Sequence, residues 1–220
     1  QRTREQLYEH YMVERELADR LRTAVPEERG QMYRMLYDEL FARVHHHPQL
    51  ARRDDPDARR RAVRLQMGLI EKFLPSGGTF LEIGCGDCLL SFEAAGRAGR
   101  VYGVDVTELA ADMEQAPANF ELLITDGAGI GVQDNSVDLA YSNQLIEHLH
   151  PDDARRHAAE VHRVLREDGV YLCSTPHRFL GPHDISGYFG NEPRGLHLHE
   201  YKTGELVELM RETGFQEFVS

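Results

Sequence analysis

Residues 80–88 read Phe80-Leu81-Glu82-Ile83-Gly84-Cys85-Gly86-Asp87-Cys88. The apolar run Thr79–Ile83 has the length of a buried strand, and glycines at 84 and 86 let the backbone after it approach a ligand closely. A helix is expected from about Asp87 to Ala98, its first N–H groups facing whatever fills the turn. The dinucleotide fingerprint G-x-G-x-x-G would need a third glycine at position 89, which is Leu89. Glu82, two residues before the first glycine, suits a cationic ligand better than a pyrophosphate. The stretch therefore predicts a strand–turn–helix ligand loop that is not of the nicotinamide type.

Beyond this loop the chain alternates. Strands are expected at Val101–Val104, Phe120–Ile124, Val137–Tyr141, Val170–Thr175 and Phe215–Val219. Helices are expected from Thr107 to about Gln115, over Pro151–Arg166, and from Thr203 to about Thr213. This alternation predicts an α/β, doubly wound, mostly parallel sheet. Before residue 75 the pattern is helical. Leu7, Tyr11, Glu14, Leu17 and Leu21 keep helical spacing, Glu27–Val44 and Pro56–Leu74 follow, and Pro75-Ser76-Gly77-Gly78 breaks the chain. The expected organisation is an N-terminal helical lid over residues 1–74 and a ligand-binding domain over 75–220.

The chain has 220 residues and a formal net charge of −12. Its basic cluster, Arg52, Arg53, Arg59, Arg60, Arg61 and Arg64, is interrupted by Asp54, Asp55 and Asp57. That is a poor footprint for a phosphate backbone, so no nucleic-acid partner is expected. No run of about 18 apolar residues predicts membrane insertion. Three cysteines, an odd number, fit a reducing, cytoplasmic setting. The absence of an initiator methionine suggests a trimmed N-terminus, and nothing in the sequence fixes the oligomeric state.

Two further carboxylates fall where the loop's ligand would need them. The second strand ends in Asp105, which can accept both hydroxyls of a ribose, and the third ends in Asp126-Gly127, where a carboxylate can take an amino group of adenine. Three acids on three successive strand tips form a specific constellation.

These motifs resemble those of the class I S-adenosylmethionine-dependent methyltransferases. Leu81 to Gly86 resembles their first motif, Val104-Asp105 the second and Thr125-Asp126-Gly127 the third. Asp134–Leu139, Ile146-Glu147-His148-Leu149 and Val164–Gly169 resemble the ubiquinone/menaquinone-biosynthesis-like branch. The resemblance covers about Thr79 to Phe215. It departs from the family at Cys88, often a third glycine, and in the missing antiparallel seventh strand, which suggests a chain cut short near Ser220. The resemblance implies that Glu82 serves the ammonium end of S-adenosylmethionine, while Gly84, Cys85 and Gly86 give it backbone room. Asp105 with Val106 would take the ribose, Asp126 with Gly127 the adenine, and Asn143 the methionine amine through its carbonyl.

Cys85 and Cys88 form a C-x-x-C, most simply two small packing residues inside the loop. His157 and His162 are expected on a helix surface, and the run His45-His46-His47 at a helix end. His148, His177, His183, His197 and His199 lie on or after strand tips at the crevice. They have no recognised metal spacing, so no metal is expected, but imidazole suits a general base. His148 and His197 are the candidate catalytic residues, with Tyr8, Tyr11, Tyr33 and Tyr37 as lid contacts. The expected activity is methyl transfer to a small-molecule acceptor, at a hydroxyl oxygen. Methylation of RNA or protein, or a non-catalytic cofactor-binding interaction module, are the alternatives.

Overall fold

The computed structural model describes residues 2–53, 55–107 and 112–219. Five strands form one parallel sheet: β1 (Thr79–Ile83), β2 (Arg100–Asp105), β3 (Phe120–Ile124), β4 (Val137–Asn143) and β5 (Leu165–Ser174), in the order β3-β2-β1-β4-β5. Glu82 pairs with Gly103 of β2 on one side and with Tyr141 of β4 on the other. The order reverses between β1 and β4, so a crevice opens at their carboxyl ends, the place where such sheets take ligands.

Strand alternation sorts the core into two layers. Leu81 and Ile83 point to one face and pack with Val104, Ala140, Val161 and Val164, the last two from α6 (Pro151–Val164). Phe80 points to the other, with Val101, Leu139 and Tyr141. Ile70 of α4 (Pro56–Ile70), with Leu74 just after it, and Leu90 and Ala94 of α5 (Leu89–Ala94) cover that face. α7 (Thr203–Glu212) adds Leu209 and Met210 to a cluster with Ile146 and Ala158.

The N-terminal helices are α1 (Arg4–Thr23), α2 (Pro26–Arg43) and the short α3 (Pro48–Arg53). α1 starts on a capping box, Thr3 accepting from the Gln6 N–H while the Gln6 side chain accepts from the Thr3 N–H. Leu17, Ala18 and Leu21 of α1 pack on Leu36 and Leu40 of α2, and Leu196 from the far end of the chain joins them.

Four expectations differ from what forms. β5 begins at Leu165 rather than Val170, because the turn at Asp168 (φ 64°) is accommodated as an irregularity opposite Val137–Leu139 and does not end the strand. No strand forms at Phe215–Val219. Phe215 instead bonds its N–H to the Met210 carbonyl at 3.1 Å and sets its ring 6.0 Å from that of Tyr171. His157 is buried, not superficial; it lies on the sheet side of α6 with Nε2 3.3 Å from Tyr171 Oη, and burial pushes its pKa down to about 4. The helix expected from Thr107 crosses residues 108–111, which lie outside the described residues, and Met113–Gln115 forms a single 3-10 turn. No helix among the described residues is long and apolar enough to cross a membrane.

Candidate active site

The loop after β1 is shaped by left-handed backbone at Gly84 (φ 74°), Gly86 (φ 52°) and Cys88 (φ 58°). The first two need glycine's freedom; the third is a conformation that L residues adopt at a cost. Cys88 thus holds the geometry for which the resembling family often uses glycine. A Cβ at Gly84 would stand 3.3 Å from Leu145 Cδ1, so this glycine also lets the segment after β4 close down.

Asp105, at the tip of β2, ties the loop together. Its Oδ2 accepts from the Gly86 N–H at 2.8 Å, and its Oδ1 accepts from Val106 N–H at 2.7 Å and Thr107 N–H at 3.2 Å. Glu82 lies beneath the loop, buried, and accepts a 2.6 Å bond from Ser91 Oγ of α5. Burial raises its pKa to about 8. Cys85 and Cys88 are buried with sulfurs 3.5 Å apart. Their mutual hydrogen bond and burial push the Cys85 thiol well above its ordinary range, as expected of packing residues and unlike a reactive thiolate.

A cavity of about 580 Å³ opens over this loop. Its floor is Gly84, Gly86, Asp105, Val106, Thr125 and Gly127, its side wall Gln144, Leu145 and His148, and its roof Tyr33, Tyr37 and Phe41 of α2. Gly127 (φ 89°) admits the roof, since a Cβ there would lie 3.0 Å from Tyr33 Cδ2. Tyr33 is itself pinned, donating to Asp153 at 2.8 Å and accepting from the His150 N–H at 2.9 Å.

Other expected residues fall outside this cavity. Asp126 turns away to Arg156 at 2.5 Å and accepts the N–H groups of Ala128 and Gly129, because a guanidinium on α6 is within its reach. Asn143 is exposed at the end of β4; the next residue, Gln144, turns into the cavity with φ 54°, a conformation that sequence gives no hint of. Tyr8 and Tyr11 leave the site and pack on Phe189, Tyr11 stacked at 4.8 Å. His177 caps a 3-10 turn, its Nδ1 accepting from the Phe179 N–H at 3.1 Å.

His148 and His197 do meet, with ring centroids 4.8 Å apart. His148 Nδ1 lies 3.0 Å from the Leu196 carbonyl, which can only accept, so Nδ1 carries the proton and Nε2 the lone pair. Burial, with the nearby His197, lowers the His148 pKa to about 4, so the imidazole is neutral at physiological pH. His197 Nδ1 is 2.7 Å from Glu200 Oε1. Glu147, next to His148, is fully buried; burial raises its pKa, and its Oε2 accepts from Thr175 Oγ1 at 2.9 Å. A second buried group, His10, Glu14 and His47, ties the N-terminal helices to the His197 loop through Glu14 Oε2, which accepts the Leu196 N–H at 3.2 Å.

A five-strand parallel sheet flanked by helices, with a glycine loop after β1 and a carboxylate at the tip of β2, is the Rossmann-like methyltransferase fold. Residues 81–173 match the methyltransferase-domain family. A probable S-adenosylmethionine-dependent methyltransferase of Mycolicibacterium smegmatis is 32% identical over 142 residues, covering 64% of this chain and 53% of that protein. A ubiquinone biosynthesis O-methyltransferase of Ruegeria pomeroyi is 26% identical over 156 residues, covering 64% and 61%. The solved S-adenosylmethionine-dependent methyltransferase of Mesorhizobium loti superposes with a TM-score of 0.53 at 21% identity, over 68% of this chain and 80% of that one. Residues 81–173 are thus similar to the methyltransferase domain of S-adenosylmethionine-dependent methyltransferases. The chain spans about half the length of the first curated relatives it matches.

Proposed function

We propose that the chain is a cytoplasmic methyltransferase of the ubiquinone/menaquinone-biosynthesis-like branch that methylates a small molecule at a hydroxyl oxygen. One observation carries the reading: a single cavity has the loop after β1 and Asp105 on its floor and, on its wall, a neutral imidazole whose Nε2 lone pair is unprotonated. The first would seat the cofactor, Glu82 taking its ammonium end beneath the loop and Asp105 its ribose; the second marks where the acceptor loses its proton. Within residues 1–74, α1 and α2 act as the cap, with Tyr33, Tyr37 and Phe41 closing over the acceptor and excluding water.

The chemistry is an in-line displacement. The acceptor oxygen loses its proton toward the His148 edge and forms a bond to the methyl carbon as the sulfur–methyl bond breaks. When bound, S-adenosylmethionine would supply that methyl group on a sulfonium, and the bonding electrons would return to sulfur to give a neutral thioether. The electrophile arrives already activated, so positioning and dryness supply most of what the protein adds.

The test is methyl transfer from labelled S-adenosylmethionine to panels of small phenols and alcohols, small amines, and RNA. Products methylated on oxygen are expected, with His148→Ala lowering turnover by roughly 10²–10⁴-fold at nearly unchanged cofactor affinity. Methylation of the amine panel alone, or transfer to RNA with a steep salt dependence, would overturn the acceptor class.

A further inference from the structure

The geometry points to a binding site for one divalent transition-series cation, formed by Glu147, His148 and His197, of which His148 lines this cavity. A donor atom from each of the three lies within 4.8 Å of the other two, although the residues come from distant segments. Spacing in the sequence therefore gave no metal signature; the fold makes the cluster by laying the loop that carries His197 against the turn after β4.

Three features separate the cluster from an ordinary buried polar group. Both imidazoles have Nδ1 occupied by oxygen acceptors, the Leu196 carbonyl at 3.0 Å and Glu200 Oε1 at 2.7 Å. That fixes the tautomer of His148 and orients both rings with Nε2 left to ligate, as partners behind a metal-bound histidine do. Glu147 is wholly buried, yet its Oε1 accepts no hydrogen bond, and neither does Oε2 of the buried Glu200 behind His197. Finally, no arginine or lysine pairs with either carboxylate among the described residues. A buried carboxylate oxygen without a donor is costly, and a cation removes that cost.

The other buried triad shows the contrast. There His10 Nε2 bonds Glu14 Oε1 at 2.6 Å, Arg2 bonds His10 Nδ1 at 2.7 Å, and Gln49 N–H donates to His47 Nδ1 at 3.2 Å. Its carboxylate is satisfied, Oε2 accepting the Leu196 N–H, so it reads as a structural hydrogen-bond network.

Two imidazoles and one carboxylate suit zinc, cobalt or manganese and leave coordination positions open. The cation's role, unlike its binding, rests on the hydroxyl reading above. With the cation bound, an acceptor oxygen at an open position would lose its proton more readily on that same His148 edge, the proton passing to solvent.

The full chain, stripped with chelator, is titrated with Co²⁺ and then Zn²⁺, following visible absorption and the metal retained per chain. One cobalt per chain is expected, with the absorption of a nitrogen and oxygen site and no intense near-ultraviolet thiolate band, displaced by zinc. Glu147→Gln and His197→Asn should lose at least tenfold in affinity, while His47→Asn binds like the wild type. Absence of stoichiometric cobalt or zinc, a thiolate band placing the metal at Cys85 and Cys88, or undiminished binding in folded Glu147→Gln and His197→Asn would overturn the proposal. If those variants fail to fold, the wild-type stoichiometry and band decide alone. Methyl transfer that proceeds in chelator without cation binding would refute this site and leave the hydroxyl reading standing; cation binding without methyl transfer would do the reverse.

Discussion

The Asp105 carboxylate at the tip of β2 accepts the Gly86 N–H at 2.8 Å, so one acid both braces the loop after β1 and faces the cavity. In the proposed complex it also holds the ribose through charge-assisted hydrogen bonds. Asp105→Ala should weaken S-adenosylmethionine binding by roughly 2–3 kcal/mol. Because three backbone N–H groups lose their acceptor as well, stability should fall by about 1 kcal/mol. Titration calorimetry and thermal melts check both; a folded variant of undiminished affinity would place the ribose elsewhere.

Glu82 makes stability and binding depend on pH. Its folded pKa of about 8 is raised above the ordinary carboxylate value by burial, so between about 4.5 and 8 the folded state holds a proton that the unfolded state has lost. Its contribution to stability is complete below about 4.5 and falls by about 1.4 kcal/mol per pH unit as pH rises toward 8. Glu82→Gln should flatten that slope. If the cofactor's ammonium settles beside Glu82, binding at pH 7 must expel the proton, so the calorimetric enthalpy should vary with the ionisation enthalpy of the buffer. Binding heats independent of buffer would contradict that placement.

Glu14 has the opposite sign. Burial alone would raise its pKa, but hydrogen bonds from His10 and His47, the charge of His10 and the Leu196 N–H bring it down to about 2. Its contribution is present above about 4.5 and is lost as pH falls toward 2. Glu14→Gln should cost roughly 2–3 kcal/mol near neutrality and remove that acid-side loss. Denaturant melts at several pH values would show it.

Gly127 tests how closely α2 sits over the loop after β3. Gly127→Ala combines a left-handed φ of 89° with a Cβ 3.0 Å from the pinned Tyr33 ring. About 1–3 kcal/mol of stability should be lost, and Tyr33→Ala in the same chain should recover the steric part. A neutral Gly127→Ala would mean that the roof moves freely.

The sheet was legible in the sequence because short apolar strands between turns announce themselves, and β1 and β3 fall within the expected bounds. Asp105 was legible too, since the end of a strand can be counted along the chain. Asp126 could not be read fully, because Arg156 reaches it from another element. Nor could Gln144: its cavity-facing turn needs a positive φ that no residue type there announces. Glu147, His148 and His197 share neither spacing nor periodicity, and only the docking of the loop at Leu196 onto α1 and α2 brings them together.

Titrating the wild-type chain with S-adenosylhomocysteine decides whether the crevice at the ends of β1 and β2 is an S-adenosylmethionine site. Saturable binding at one site is expected in the micromolar range, on the order of −8 kcal/mol. No heat with this ligand, alongside tight binding of a nicotinamide dinucleotide, would contradict it.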